Sequence, residues 1–235
     1  MRLSIMQPYF FPYIGYFTII KHSDQFISFD KVQFIRHGWI ERNRILKPNE
    51  GVQYIQVPLV KHSRNIIIKD VKIRVNEPWQ DRIFRQLEHY KKSAPYYAEV
   101  VDLLRQTLAF TTDSISQLNL HLLSNTCAYL GIPFNGSILS EMNINISPVC
   151  APDEWALNIC TALGASTYVN LPGAMELFDR NKYIKAGIEF KFLKVNINPY
   201  NQRRANFEAY LSIIDVMLFN NPKEINNMLD DIDIL

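Results

Sequence analysis

The sequence predicts an α/β fold, a parallel sheet carrying an inserted β/helical lobe. Three observations point there. Strand-patterned and helix-patterned segments alternate near both ends of the chain. A proline-rich turn divides the first strand from the first helix, and residues 51–112 interrupt the alternation with β-like and then helical patterning. At 235 residues, 48% apolar and 20% charged, the chain can bury a core as a single α/β domain spanning 1–235.

Arg2–Met6 reads as a strand, residues 15–22 ("GYFTIIKH") as a short helix, and residues 24–34 ("DQFISFDKVQF") as a second strand, because apolar and polar residues alternate there. "VQYIQVPLV" and "NIIIKDVKIRV", separated by polar "KHSRN", predict a β insertion in hairpin form. Residues 79–109 turn helical with a break at "KKSAPYY". Residues 114–130 form an amphipathic helix with Asp113 or Ser114 as its cap and Gly131 as its stop. Strand-like "IPFNGSIL", helical "PDEWALNICTALGA", strand-like "STYVNL", helical "AMELFDRNKYIKAG" and strand-like "IEFKFLKV" then imply parallel crossovers.

The net charge of +2 and the short, mixed basic clusters do not ask for a polyanion partner, so no nucleic acid is expected from them. Cys127, Cys150 and Cys160 form no CxxC or Cys/His array, which favours buried reduced thiols over a zinc site. Gln7, Pro8 and Pro12 break any signal-peptide core, and the apolar run from Tyr9 to Ile20 is too short to span a bilayer. A cytoplasmic protein without a membrane span is expected.

The opening turn, "QPYFFPYIGYF", is the first candidate site. Ligands in open parallel sheets sit beyond the strands' carboxyl ends, near the first β-to-α turn. The N-terminus of the following helix suits a phosphate or carboxylate. Gly15 permits close backbone approach, while Gln7, Tyr9, Tyr13 and Tyr16 offer polar tips. The layout resembles the strand–HxGH–helix entrance of nucleotidyltransferases and class I aminoacyl-tRNA synthetases, which implies a Rossmann-like (HUP-like) sheet. "YIGY" stands where HxGH would stand, both histidines being tyrosines. ATP as a cofactor is compatible with that layout but lacks the cationic imidazoles of a complete motif.

Residues 29–45 ("FDKVQFIRHGWIERNRI") are the second candidate. Asp30 can take a proton or hold an ammonium, and Gln33 can orient a carbonyl. Arg42 and Arg44 can clamp a pyrophosphate, with Trp39 as a stacking face and Asn43 beside them. Asn170, at the end of a later strand, should form the opposite wall of the same cleft. For Asp215 and the five histidines a packing role is the simpler reading.

"IMQPYFFPYIGYFTII", "D-x-F-I-x-x-D-x-V-Q-F" and "W-x-x-R-N-x-I" resemble the WbqC-like proteins of bacterial surface-polysaccharide clusters. The resemblance runs on through "VPL", "YKKSAPYY", "LSEM", "LGASTYVN", "PYNQ" and "LSIID", covering nearly the whole chain. Lys31 replaces the second Asp of the usual "DDVQF" pattern, and "GAMELFD" is an irregular form of a later block. The resemblance implies a transferase of O-antigen or other lipopolysaccharide synthesis that adds an aminoacyl (glycyl-like) or acyl group to the amine of a nucleotide-linked amino sugar. In such chemistry Asp30, Gln33 and Tyr13 would be catalytic. Gln7, Tyr9, Gly15, Tyr16, Trp39, Arg42, Asn43, Arg44 and Asn170 would bind substrate, with no metal. An activated donor made from ATP in the site and one delivered on a charged carrier both stay open. A non-catalytic protein that positions glycan intermediates is the alternative.

Overall fold

The computed structural model describes residues 1–235, the side chain of Ala174 excepted. In chain order come β1 (Arg2–Met6), α1 (Ile14–Lys21), β2 (Gln25–Ser28), β3 (Arg42–Leu46), β4 (Val52–Gln56), α2 (Trp79–Leu87), α3 (Tyr97–Leu108) and α4 (Ile115–Leu130). Then follow β5 (Gly136–Ile138), α5 (Glu154–Ala162), β6 (Thr167–Asn170), α6 (Arg180–Lys185), β7 (Glu189–Val195), α7 (Ile213–Phe219), α8 (Pro222–Asp230) and β8 (Ile232–Ile234).

Six strands form the central sheet in the order β5-β2-β1-β6-β7-β8. All neighbours are parallel except β7 and β8. Counted within the sheet alone, this is the Rossmann order 3-2-1-4-5-6. The strand order reverses between β1 and β6, so a crevice opens beyond their carboxyl ends. Residue alternation packs both faces of this sheet: Leu3, Ile5 and Ile27 pack with α5 and α6, whereas Phe26 packs with α1 and α4.

As expected, β1 and β2 are parallel neighbours joined by α1, with Ser4 opposite Phe26. The second strand, however, stops at Ser28 rather than Phe34. Phe29 N–H still reaches the Met6 carbonyl at 2.7 Å, but β1 ends at Met6 and is followed by Gln7 and Pro8, whose ring nitrogen has no proton. With no neighbour to pair with, the chain leaves the sheet.

The hairpin is also formed by different segments. Val52–Gln56 pairs antiparallel with Arg42–Leu46, while residues 65–75 make only isolated bridges, such as Leu59 to Ile73. Ile68, Val71 and Ile73 are buried in the larger core, so tertiary packing rather than strand pairing places that segment. The helix expected over 174–187 divides into a 3-10 turn at Pro172–Leu177 and α6. Between them Phe178 enters an aromatic cluster with Tyr168, Tyr183 and Phe190. Helix α4 is capped as expected: Ser114 Oγ accepts from Gln117 N, and Gly131 closes it with φ 68°.

Cys127 and Cys160 are buried, and burial pushes both thiols up to about 12; Cys150, in contrast, is exposed. Among the described residues no helix is long and apolar enough to cross a membrane, and no group of three or more His, Cys, Asp or Glu is placed to hold a metal ion.

Candidate functional site

A cleft of about 450 Å³ lies beyond the carboxyl ends of β1 and β6. Its walls include Met6 at the end of β1, Tyr9, Tyr13 and Tyr16 from the opening turn and helix, Trp39, Asn43 and Arg44 around β3, Asn170 at the end of β6 with residues 171–173 after it, and Tyr210.

The turn that supplies the tyrosines is held by its carbonyls. Asn119 Nδ2 donates to Pro8 O and to Ile40 O, each at 2.8 Å. Asn43 Nδ2 donates to Phe10 O at 3.1 Å and Phe11 O at 2.8 Å. Ser212 Oγ reaches Phe11 O at 2.8 Å, Ile213 N reaches Pro12 O at 2.9 Å, and Tyr16 OH reaches Gln7 O at 3.1 Å. Pro8 and Pro12 meanwhile have no N–H that would need a partner. Phe10 and Phe11 are buried as anchors, which leaves Tyr9 and Tyr13 to line the cleft. Phe11 adopts φ 40°, a left-handed conformation that costs a non-glycine residue about 1 kcal/mol and is held by the bonds on its own carbonyl.

Gly15 has a steric reason. A β-carbon there would lie 2.5 Å from Cζ and OH of Tyr13, whose ring packs against the first turn of α1. The turn is therefore met through that phenol. Burial, reinforced by Tyr210 and Tyr9, pushes Tyr13 up to about 12. Burial also raises Tyr9 against an opposing bond from Tyr16, and it raises the enclosed Tyr16 well above the ordinary phenol value. All three are neutral hydrogen-bonding groups at neutral pH. Arg44 supplies the positive charge: its guanidinium lies 5.4 Å from the Trp39 ring and donates to Tyr210 O at 3.2 Å. Its Nε is buried with no partner, an unmet donor at the cleft wall.

Tyr9, Tyr13, Tyr16, Trp39, Asn43, Arg44 and Asn170 thus share one cleft, with Gly15 beneath Tyr13. Gln7, Asp30, Gln33 and Arg42 do not line it, so the expected convergence of Gln7, Asp30, Gln33 and Arg42 with Tyr13 on one cleft is not seen. Asp30 is wholly buried; Oδ1 accepts from Ser140 N at 3.0 Å and Oδ2 from Ser140 Oγ at 2.6 Å. Gln33 donates to Arg64 O at 2.9 Å. Arg42 lies 4.1 Å over the Tyr54 ring and donates to His37 O at 2.5 Å, apart from the interactions of Arg44. The paired-arginine clamp is not assembled. Asn170 is committed within the wall, donating to Tyr168 OH at 3.0 Å and accepting from Leu171 N at 2.7 Å.

Neither Asn119 nor Tyr210 was singled out from the sequence, and Ser212 stood only within the "LSIID" block. A polar Asn on the apolar face of "LNLHLL" was a signal for a buried bracket; Tyr210 carried none, because only folding brings it within 5.9 Å of Tyr13. Asp215 has its partners outside its own helix. It is buried and accepts from Tyr90 OH and Tyr200 OH, each at 2.6 Å, and from Gln202 Nε2 at 3.0 Å. Burial raises its carboxyl, and those bonds oppose the rise.

The sheet order and its switch-point cleft define a Rossmann-like α/β protein with a ligand-sized crevice where such folds bind small molecules. The chain belongs to the WbqC-like protein family, whose profile matches residues 7–227. It is 30% identical over 222 residues to the uncharacterized protein Rv1507c of Mycobacterium tuberculosis (strain ATCC 25618 / H37Rv), with 93% of each chain covered. No solved structure matches it.

Proposed function

We propose that this protein is a transferase of bacterial surface-glycan (O-antigen) synthesis that acylates the amine of a nucleotide-linked amino sugar seated in the switch-point cleft. The observation that carries this reading is Arg44, a guanidinium stacked by Trp39 whose buried Nε has no partner within the chain. An anionic bridge such as a pyrophosphate would satisfy it. The aromatic faces suit a base or sugar ring. The Tyr9 and Tyr13 phenols, neutral and at the wall, are donors for the oxygen of an acyl carbonyl as the amine attacks it. In the reaction the amine forms the new amide bond, the acyl carrier leaves with the electron pair, and the amine's proton passes to solvent. Asp30 is assigned to holding the 139–141 turn instead of taking that proton, because Ser140 occupies both its oxygens.

A second reading is favoured by one feature: among the described residues lining the cleft there is no Asp, Glu, His, Cys or Lys. Under it the protein binds and presents the nucleotide sugar to a separate enzyme. Calorimetric titration with dTDP- and UDP-linked 4-amino sugars tests both readings, with mass spectrometry of mixtures containing candidate aminoacyl or acyl donors. Arg44→Gln should weaken binding by about 1.5–3 kcal/mol, the worth of a hydrogen bond to a charged group, while Arg42→Ala should not. Equal affinity in wild type and Arg44→Gln removes the anion contact. Tight binding without amide product under any donor leaves the presenting role.

A further inference from the structure

A second cavity, of about 440 Å³, lies between the β3–β4 turn, the 88–93 segment and the 202–208 loop. It is built on buried polar structure. Gln202, 4% exposed, closes the loop on itself by accepting from Glu208 N at 2.8 Å and donating to Glu208 O at 3.0 Å, and it is anchored to the fully buried Asp215. Arg203 is thereby held with φ 55°, a conformation a non-glycine residue adopts at a cost.

Five side chains give this cavity its chemistry, and one of them, Arg204, donates through Nη1 to Gly51 O at 3.3 Å. Arg203, Arg204, Glu50 and Glu208 line it, and among the described residues none of the four makes an ion pair. His89 is the fifth. Its Nδ1 lies 2.9 Å from Gln86 O, and a carbonyl can only accept, so Nδ1 carries the proton. Nε2 is then a bare lone pair, and it is buried without a partner. Burial lowers the His89 pKa, the Gln86 bond opposes this, and the charge of Arg204 adds to the lowering, which keeps the ring neutral. The cavity therefore offers two cations, two anions and a lone-pair acceptor, with no ion pair among them.

We infer that this cavity is a binding site for a small zwitterion of the α-amino acid class, its carboxylate held by Arg203 and Arg204 and its ammonium by Glu50 or Glu208 and His89 Nε2. A simple anion would engage the arginines but neither carboxylate, and a simple cation would engage the carboxylates but neither arginine, whereas a zwitterion engages both. The inference rests on this cavity alone and not on the transferase reading of the cleft.

Calorimetric titration of the full chain with each proteinogenic amino acid tests it, alongside analogues lacking the amine or carrying an amide for the carboxylate. At least one amino acid should bind, and each analogue should bind about tenfold more weakly or worse. Arg203→Gln and His89→Leu should each weaken binding by a similar factor. Arg203 is exposed and its side chain makes no hydrogen bond within the chain, so unchanged thermal unfolding of Arg203→Gln separates lost binding from lost fold. Arg44→Gln, in the other cleft, should leave amino acid binding unaltered. The inference is overturned by no binding of any amino acid, by equal binding of the des-amino analogue, by wild-type affinity in Arg203→Gln, or by loss of binding in Arg44→Gln alone.

Discussion

Asn43→Asp keeps the shape of a side chain that brackets the opening turn but removes its donor. Asn43 Nδ2 sits 3.1 Å from Phe10 O and 2.8 Å from Phe11 O, while Oδ1 accepts from Arg44 N at 2.8 Å. In the variant a carboxylate oxygen faces two carbonyl oxygens at a position 3% exposed, so the folded state favours the protonated acid. As an acid it donates to one carbonyl in place of two, a loss of about 1–1.5 kcal/mol at any pH. In the unfolded chain the carboxyl ionises with a pKa of about 3.9, and holding the proton in the fold at pH 7 costs at most about 4 kcal/mol. The folded pKa is raised, so stability is retained below about pH 4 and is lost as pH rises toward the folded value. Asn43→Asp should therefore lose up to about 5 kcal/mol relative to wild type at pH 7 but only about 1–2 kcal/mol near pH 4. Asn43→Ala, with nothing to titrate, should lose about 2–4 kcal/mol at both. Urea unfolding of the three proteins, followed by tryptophan fluorescence at the two pH values, measures this. A wild-type midpoint for Asn43→Asp at pH 7, or a loss independent of pH, refutes the bracket.

Gly15→Ala should displace the Tyr13 ring, because its β-carbon would lie 2.5 Å from Tyr13 OH. The helical gain of alanine and the rotamer cost to Tyr13 nearly offset, so stability should move by less than about 1 kcal/mol while cleft ligand affinity falls about tenfold. A calorimetric titration that finds wild-type affinity in this variant contradicts the packing argument. Asp30→Asn can still accept from Ser140 N and donate to its Oγ, so its melting temperature should stay near wild type. Asp30→Ala leaves the half-buried Ser140 N–H and Oγ without their acceptor and should lose about 2–4 kcal/mol; equal losses in the two would show that the Ser140 bonds do not matter. With the folded Tyr13 pKa raised to about 12, its contribution to stability holds up to the ordinary phenol value of about 10 and is lost as pH rises through about 12. Unfolding at high pH should therefore be less pH-sensitive in Tyr13→Phe, and identical pH profiles would count against a buried, neutral phenol.

By itself the sequence determined the parallel α/β frame, because alternation and amphipathic periods are local signals that survive into the fold: β1, α1, α4, β6 and β7 stand where their patterns place them. It also marked one wall of the cleft, since Tyr9, Tyr13 and Tyr16, with Gly15 beneath Tyr13, come from one stretch whose prolines and glycine made it legible as a rigid turn. Tertiary structure decided which strands formed the hairpin, where β2 stopped and where the 172–187 segment broke, since each depends on a partner distant in sequence. It also separated residues that the sequence set side by side. Arg42 and Arg44 are two positions apart, yet Tyr54 and the His37 carbonyl draw one away while Trp39 and the Tyr210 carbonyl hold the other in the cleft. Asp30, an acid beside the turn in sequence, is sealed under Ser140 because a buried carboxylate is stable only where donors meet it, and those donors come from 110 residues further along the chain.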